Sequence, residues 1–264
     1  MVLNISIGLV EQIGEIARRA GREIMKVYNT DFDVEAKGDG SPVTQADKLA
    51  EALIFRAIRE GITGSYPLVG EEAVSEGKAP TLGSGPFWLI DPLDGTKEFV
   101  ARTGDFTVNI ALIEDGLPVL GVVHLPASDD TYLASRAGVF AQYGGEGKAI
   151  QIACREAPKQ GLIAVASKNH MTQETTDYLE KLPIGGTINV GSSLKFCRVA
   201  EGRADVYPRF GPTCEWDTAA GHAVLLFAGG EVIRPEDGLP LRYGKPDFRN
   251  GFFIARGPGV PDPV

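Results

Sequence analysis

Apolar residues at Ile13, Ile16, Ala17, Ala20, Ile24 and Val27 recur at steps of three and four. That spacing puts them on one face of a helix and predicts an amphipathic helix over 8–28. A Gly- and Asp-rich connection, Lys37-Gly38-Asp39-Gly40-Ser41-Pro42, leads to Thr44. Thr44-x-x-Asp47 ahead of Leu49, Leu53, Ala57 and Ile58 reads as a capping box opening a second helix. The pattern then shifts to strand-length apolar runs at 68–69, 87–90, 106–113 and 117–124, the last two joined by the turn Glu114-Asp115-Gly116 as an antiparallel hairpin. Runs at 132–135 and 139–143 add strands, and Gly144-Gly145-Glu146-Gly147 marks a loop after which the pattern changes. A boundary near residue 155 divides an N-terminal α+β domain, 1–155, from an α/β domain, 156–264. In the second, a buried-strand candidate at 162–166 precedes helices at about 172–181, 192–201 and 216–228, which alternate with short strands at 204–207 and 251–255. Gly and Pro are spread through turns rather than gathered in a linker, so the two parts should pack closely.

Composition narrows what such a layered chain can do. With 264 residues, 43% hydrophobic and 23% charged, it can bury a sizeable core and is not disordered, collagenous or coiled coil. Its 35 acidic and 26 basic residues give a net charge of -9, which disfavours a nucleic acid polymer and leaves room for a small anion held through metal ions. Cys154, Cys197 and Cys214 are odd in number and form no C-x-x-C pair, which argues against a disulfide framework or structural zinc and fits a reducing cytoplasm. The first residues lack the basic start of a signal peptide, and no run reaches the ~20 apolar residues of a transmembrane segment. On oligomeric state, and on peripheral association at the inner face of the membrane, the sequence is silent.

No G-x-S-x-G, H-E-x-x-H or complete P-loop is present, and His124, His170 and His222 have no ligand-like spacing. Carboxylates carry the chemistry instead. Trp88-Leu89-Ile90-Asp91-Pro92-Leu93-Asp94-Gly95-Thr96-Lys97-Glu98-Phe99 sets two aspartates where a buried strand ends. Pro92 fixes φ and removes a donor, while Gly95 permits a tight backbone approach, so Asp91 and Asp94 can converge before a short helix. Hard oxygen ligands in that setting suit Mg²⁺, and N–H groups near Gly95 and Thr96 suit a phosphate. The bland alternative is an ordinary Asp-Pro and Asp-Gly turn. Glu71-Glu72 after a strand and Asp217 at a helix start add acid sites, each of which alone is explained by solvation or by capping, as is Asp47.

Together, Val69-Gly70-Glu71-Glu72, Asp91-Pro92-Leu93-Asp94-Gly95-Thr96 and Glu215-Trp216-Asp217-Thr218-Ala219-Ala220-Gly221 resemble the inositol monophosphatase superfamily of lithium-sensitive, Mg²⁺-dependent phosphatases. Asp39-Gly40-Ser41-Pro42-Val43-Thr44-Gln45-Ala46-Asp47 adds a fourth match. Lys97-Glu98-Phe99 and Gly191-Ser192-Ser193-Leu194-Lys195-Phe196-Cys197 are similar to the CysQ-type branch, the 3'(2'),5'-bisphosphate nucleotidases. The resemblance implies a five-layer αβαβα sandwich of the inositol monophosphatase and fructose-1,6-bisphosphatase type, with its site between the halves. It implies two or three Mg²⁺: one held by Glu71, Asp91 and the Leu93 carbonyl, a second by Asp91, Asp94 and Asp217, and a weaker third placed with help from Glu71. Thr96 paired with Asp47 would orient and deprotonate the attacking water. Ser192, Lys195, Arg209 and His170 would bind the retained phosphate of the nucleotide, with Gly95, Thr96 and Asp217 also at the substrate. Lys195, one helical turn after Ser192, is expected on the same helix face.

The reading so reached is a cytoplasmic phosphatase that removes the 3'-phosphate of adenosine 3',5'-bisphosphate (PAP), with conversion of the 5'-phosphosulfate analogue (PAPS to APS) as a second reaction, in sulfate assimilation. An inositol monophosphatase or sugar bisphosphatase is the alternative within the superfamily. A catalytically silent metal- or nucleotide-binding regulator is the alternative of another class, and the presence of every proposed ligand counts against it.

Overall fold

The computed structural model describes residues 3–31, 34–36, 42–145, 147–166 and 172–263, with the side chains of 35, 36, 42 and 43 excepted. In chain order the first half comprises α1 (Ile7–Tyr28), β1 (Glu35–Ala36), β2 (Pro42–Val43), α2 (Gln45–Gly61), β3 (Leu68–Gly70), α3 (Glu71–Ser75), β4 (Phe87–Asp94), α4 (Thr96–Val100), β5 (Thr107–Glu114), β6 (Leu117–Leu125), β7 (Asp130–Ser135), β8 (Gly138–Gln142) and β9 (Ile150–Gln151). The second half comprises β10 (Leu162–Ala166), α5 (Gln173–Glu180), β11 (Ile184–Asn189), α6 (Leu194–Ala200), β12 (Val206–Arg209), β13 (Thr213–Cys214), α7 (Glu215–Phe227), β14 (Glu231–Ile233), β15 (Arg249–Asn250) and β16 (Phe253–Arg256).

Strands β3 to β9 form a seven-stranded sheet in sequence order. The β3–β4 pair is parallel and the others are antiparallel. A five-stranded mixed sheet has the order β11-β10-β12-β16-β14. Helices α1 and α2 cover one face of the large sheet, α6 and α7 lie between the two sheets, and α5 packs on β12 at the outer face of the small one. The stack is therefore αβαβα, the architecture expected.

Each interface between layers has its own core. Ile13, Ala17, Ala20 and Ile24 of α1 meet Trp88, Ile90, Ile110 and Val122 on one side of the large sheet. Leu89, Ala111 and Val123 alternate to the other side, where they join Phe196, Ala220, Val224 and Phe253. Strand alternation thus serves two helical layers at once, and nearly every position of β4 to β6 is buried. Leu162, Val206 and Tyr178 form the third core under α5.

Three departures from the sequence reading bear on function. The strand expected to stop at Ile90 runs to Asp94. The helix expected from residue 192 begins at Leu194, because Ser192 takes φ +46° and Ser193 stands at the N-cap. Strand β11 had no sequence signal: it is the sheet edge, its residues alternate between half-buried and exposed, and two of them are glycine.

Candidate active site

The site starts from an irregularity in strand β4. Asp91 pairs with Asn109 and Asp94 with Thr107, so three steps along β4 match two along β5, and one extra residue bulges out. Pro92 sits inside the bulge, where a missing N–H costs the ladder nothing. Asp91 is 1% exposed and its Oδ1 accepts the Leu93 N–H at 3.0 Å. The Leu93 carbonyl accepts the Thr96 hydroxyl at 3.3 Å. Gly95 takes φ +92°, a conformation that side chains other than glycine's resist, and a Cβ there would lie 3.1 Å from the Asp105 carbonyl. That turn starts α4 immediately, with Thr96 as its first residue.

Helix α2 supplies Asp47. The predicted capping box forms: Asp47 Oδ2 accepts the Thr44 N–H at 2.8 Å and its hydroxyl at 2.9 Å. The other oxygen, Oδ1, faces Thr96 Oγ1 at 3.5 Å. The helix cap and the approach to Thr96 therefore use separate oxygens of the Asp47 carboxylate. Four residues on, Glu51 Oε2 accepts the Glu72 N–H and Oε1 the Ala73 N–H, both at 2.9 Å, which ties α2 to the first turn of α3, where Glu71 stands.

Asp217 comes from the other half, as the third residue of α7, and its Oδ2 accepts the Cys214 N–H at 2.8 Å. Ser193 joins it to the bulge. Its N–H donates to Asp94 Oδ2 at 2.6 Å and its hydroxyl to the Asp217 carbonyl at 2.6 Å. Asn109 Nδ2 donates to Ser193 Oγ at 3.1 Å and to Asp94 Oδ2 at 3.4 Å, while Thr107 Oγ1 donates to Asn109 Oδ1 at 3.0 Å.

Electrostatics show which charges are neighbours. Burial pushes the Asp94 carboxyl up to about 6; Glu71 adds to the rise, while the Lys195 charge, the Ser193 N–H and Asn109 oppose it. Burial raises Asp217 well above the usual carboxylate range, and Asp94 and Glu71 raise it further. Burial pulls Lys195 down to about 8 against the pull of Asp94, with Arg209 lowering it and Glu98 and Asp217 raising it. Glu71, Asp94, Asp217 and Lys195 thus share one electrostatic neighbourhood although they come from different elements of both halves. Among the described residues no three His, Cys, Asp or Glu side chains are drawn into a ready-made metal cage. Half-buried carboxylates that repel one another are what a cation would relieve, and the donors are hard oxygens throughout, so the residues fit Mg²⁺.

The substrate-side residues are less uniform. Ser192 lies outside α6, which removes the expected common helix face with Lys195; its Oγ is buried with no hydrogen-bond partner. Lys195 is 7% exposed, and its Nζ lies 5.6 Å from the centre of the Tyr207 ring. Arg209 ends β12; it donates to the Pro212 carbonyl at 3.1 Å, and its Nε is buried without a partner. His170 lies outside the described residues. Sequence reasoning missed Glu51 and Asn109 as site residues and assigned Ser193 no role of its own beyond its place in the 191–197 match. Asn109, a polar residue at an inward position of an apolar strand, left a signal, and Glu51 left none.

The family model described as "Inositol monophosphatase family" matches residues 9–258. The chain is 45% identical over 226 residues to the 3'(2'),5'-bisphosphate nucleotidase CysQ of Salmonella typhimurium, covering 85% of this chain and 89% of that protein. It is 44% identical over 237 residues to the protein of the same name from Escherichia coli, covering 89% and 94%. Its fold is similar to the crystal structure of CysQ from Bacteroides thetaiotaomicron, described as a bacterial member of the inositol monophosphatase family, with a TM-score of 0.81, 36% identity, and coverage of 95% of this chain and 97% of that one.

Proposed function

The chain belongs to the inositol monophosphatase family, and on that premise we propose that it is a Mg²⁺-dependent 3'(2'),5'-bisphosphate nucleotidase. It hydrolyses the 3'-phosphate of PAP to give AMP and phosphate. The observation that carries the site assignment is the pair Asp94 and Asp217, one from each half, both half-buried and both tied to Ser193, whose N–H donates to the Asp94 carboxylate and whose hydroxyl donates to the Asp217 carbonyl. Each carboxyl is also raised in pKa, with the charge of Asp94 adding to the rise at Asp217.

Glu71, Asp91, Asp94, Asp217 and the Leu93 carbonyl would hold the metal, as two ions with a third that Glu71 would help to place. When bound there, Mg²⁺ would supply charge neutralisation for the phosphoryl group and the leaving oxygen, which is most of what phosphoryl transfer asks of an enzyme. Asp47, fixed on one oxygen by Thr44, faces Thr96 with the other. With the Leu93 carbonyl given over to the metal, the Thr96 hydroxyl would turn its one proton from that carbonyl to the Asp47 carboxylate and offer its lone pair to the attacking water, so a proton taken from water is matched by one passed to Asp47. The α4 start at Gly95 and Thr96 presents backbone N–H groups to the departing phosphate.

Lys195, Arg209, Ser192 and His170 bind the phosphate that stays on the nucleotide. The partnerless Ser192 Oγ and Arg209 Nε support this, since a buried donor without a partner costs about 1–3 kcal/mol unless a ligand supplies one. PAPS, with the same 3'-phosphate, is the second substrate. Phosphate release from PAP, inositol 1-phosphate and fructose 1,6-bisphosphate, each with and without Mg²⁺, tests the reading. PAP should be turned over fastest and only with metal; a preference for either other substrate would overturn the nucleotidase assignment.

A further inference from the structure

Glu51 takes no part in the chemistry just described, yet it is 7% exposed and both its oxygens are used on the backbone that carries Glu71. We infer that Glu51 is a positioning residue: by holding the Glu72 and Ala73 N–H groups it fixes the first turn of α3 and so sets where Glu71 presents its carboxylate to Mg²⁺. The inference deepens the functional reading above and rests on it for the metal.

Three observations converge. The two acceptor contacts, at 2.9 Å each, are the best that a single carboxylate can offer to a helix start whose N–H groups have no partner within the helix. Gly70, the residue before Glu71, has an ordinary φ of -119°, so its backbone does not call for glycine. The space does: a Cβ there would lie 2.3 Å from Glu51 Oε2 and 2.7 Å from the tip of the Phe55 ring. Finally, Glu51 follows Asp47 by one helical turn on the buried face of α2. One rigid helix therefore holds both arms of the site, Thr96 through Asp47 and Glu71 through Glu51.

Three variants test it: Glu51→Gln, which keeps the shape and one acceptor, Glu51→Ala, and Gly70→Ala, which leaves Glu51 in place but displaces its carboxylate. Two readouts are needed, amide hydrogen exchange at Glu72 and Ala73 in the metal-free protein, and MgCl₂ binding by titration calorimetry. Both amides should exchange faster in all three variants. Mg²⁺ should bind about tenfold to a hundredfold more weakly in Glu51→Ala, the usual cost of losing a residue that orients a ligand, and less so in Glu51→Gln. At saturating Mg²⁺, kcat should recover while KM for PAP stays within about twofold of wild type, the split expected when only the metal is misplaced. In the Glu51→Ala background, Gly70→Ala should add little beyond the turning of Phe55. Unchanged Mg²⁺ affinity in any folded variant, or a Glu51→Gln loss as large as that of Glu51→Ala, would overturn the inference. Wild-type protein that takes up no Mg²⁺ would instead defeat the functional reading, and amide exchange would still decide whether Glu51 holds the turn.

Discussion

At the scale of single residues, the site is built from groups that do two things with their separate atoms. Asp47 caps α2 with one oxygen and faces Thr96 with the other, so its substitution should show both losses. Asp47→Asn and Thr96→Ala should each lower kcat by a similar large factor, and the double variant should be little worse than either. Multiplying losses, or a mere ~1 kcal/mol drop in stability for Asp47→Asn, would make Asp47 a cap alone. Asp94→Asn should abolish most activity while the metal-free protein keeps or raises its melting temperature, because one charge leaves a crowded acidic neighbourhood. An active variant would remove Asp94 from the metal site. Sequence could announce Asp91 and Asp94, since two acids where an apolar strand ends are conspicuous, whereas Asp217 reads locally as a helix cap and stands out only through the 215–221 match. Sequence could not announce Glu51, nor what Ser193 does within its motif, because each bonds to groups supplied by chain distant in sequence and brought near only by the fold.

At the scale of elements, one inserted residue in β4 does what a regular strand could not. It takes Pro92 and Leu93 out of the ladder, leaves Pro92 without a donor to satisfy, and turns the chain sharply into α4. The end of the apolar run at Ile90 was legible, but the continuation to Asp94 was not, because Asp-Pro reads locally as a turn. The start of α6 was misplaced for a similar reason: Ser192 and Ser193 suit a helix beginning, and nothing local shows that Ser192 adopts a positive φ. Gly95 is where the turn after β4 is most exacting. Gly95→Ala should cost roughly 1–2 kcal/mol for its left-handed backbone and also lower kcat. Gly238→Ala, with φ +69° and no atom within 4 Å of its Cβ position, should carry the backbone cost without the crowding and leave kcat alone. Equal kinetic effects in urea-stable samples of both would mean that the Gly95 turn does not set the geometry of Thr96.

At the scale of the whole molecule, acid should weaken the fold through two buried histidines that take no part in the proposed chemistry. Burial holds His124 down to about 4, with Arg18 adding to the effect, and burial alone holds His222 to about 3. His124 Nδ1 is occupied by the Asp130 carbonyl and Thr131 hydroxyl, and His222 Nδ1 by the Tyr243 hydroxyl. An unfolded chain protonates these rings near pH 6.5, well before the folded chain does. Stability therefore falls as pH drops from about 6.5 toward 4, by about 3 kcal/mol for His124 alone at one pKa unit per 1.36 kcal/mol. Asp94 works in the opposite sense: its folded pKa is raised, so without metal its contribution worsens as pH rises from about 4 to 6. Urea unfolding at pH 7.5, 6 and 5 should show a flatter acid limb in His124→Gln than in wild type; parallel limbs would exclude His124 as the cause.

Helix α7 comes from the second half of the chain, yet it packs on β4, β5, β6 and β7 of the large sheet as well as on β14 and β16 of the small one. Ala219, Ala220, Ala223 and Val224 are all within 1% of full burial, so the helix has no watery side to which it could retreat. The chain between the sheets, by contrast, passes through the exposed stretch Pro158-Lys159-Gln160-Gly161. The peptide link there is thus a tether rather than a strut. A single proteolytic cut after Lys159 should leave two fragments that migrate together under native conditions and keep turning over substrate. Expressed apart, neither fragment should hold a native fold until the other is supplied, because each would present to water the face that α7 now seals.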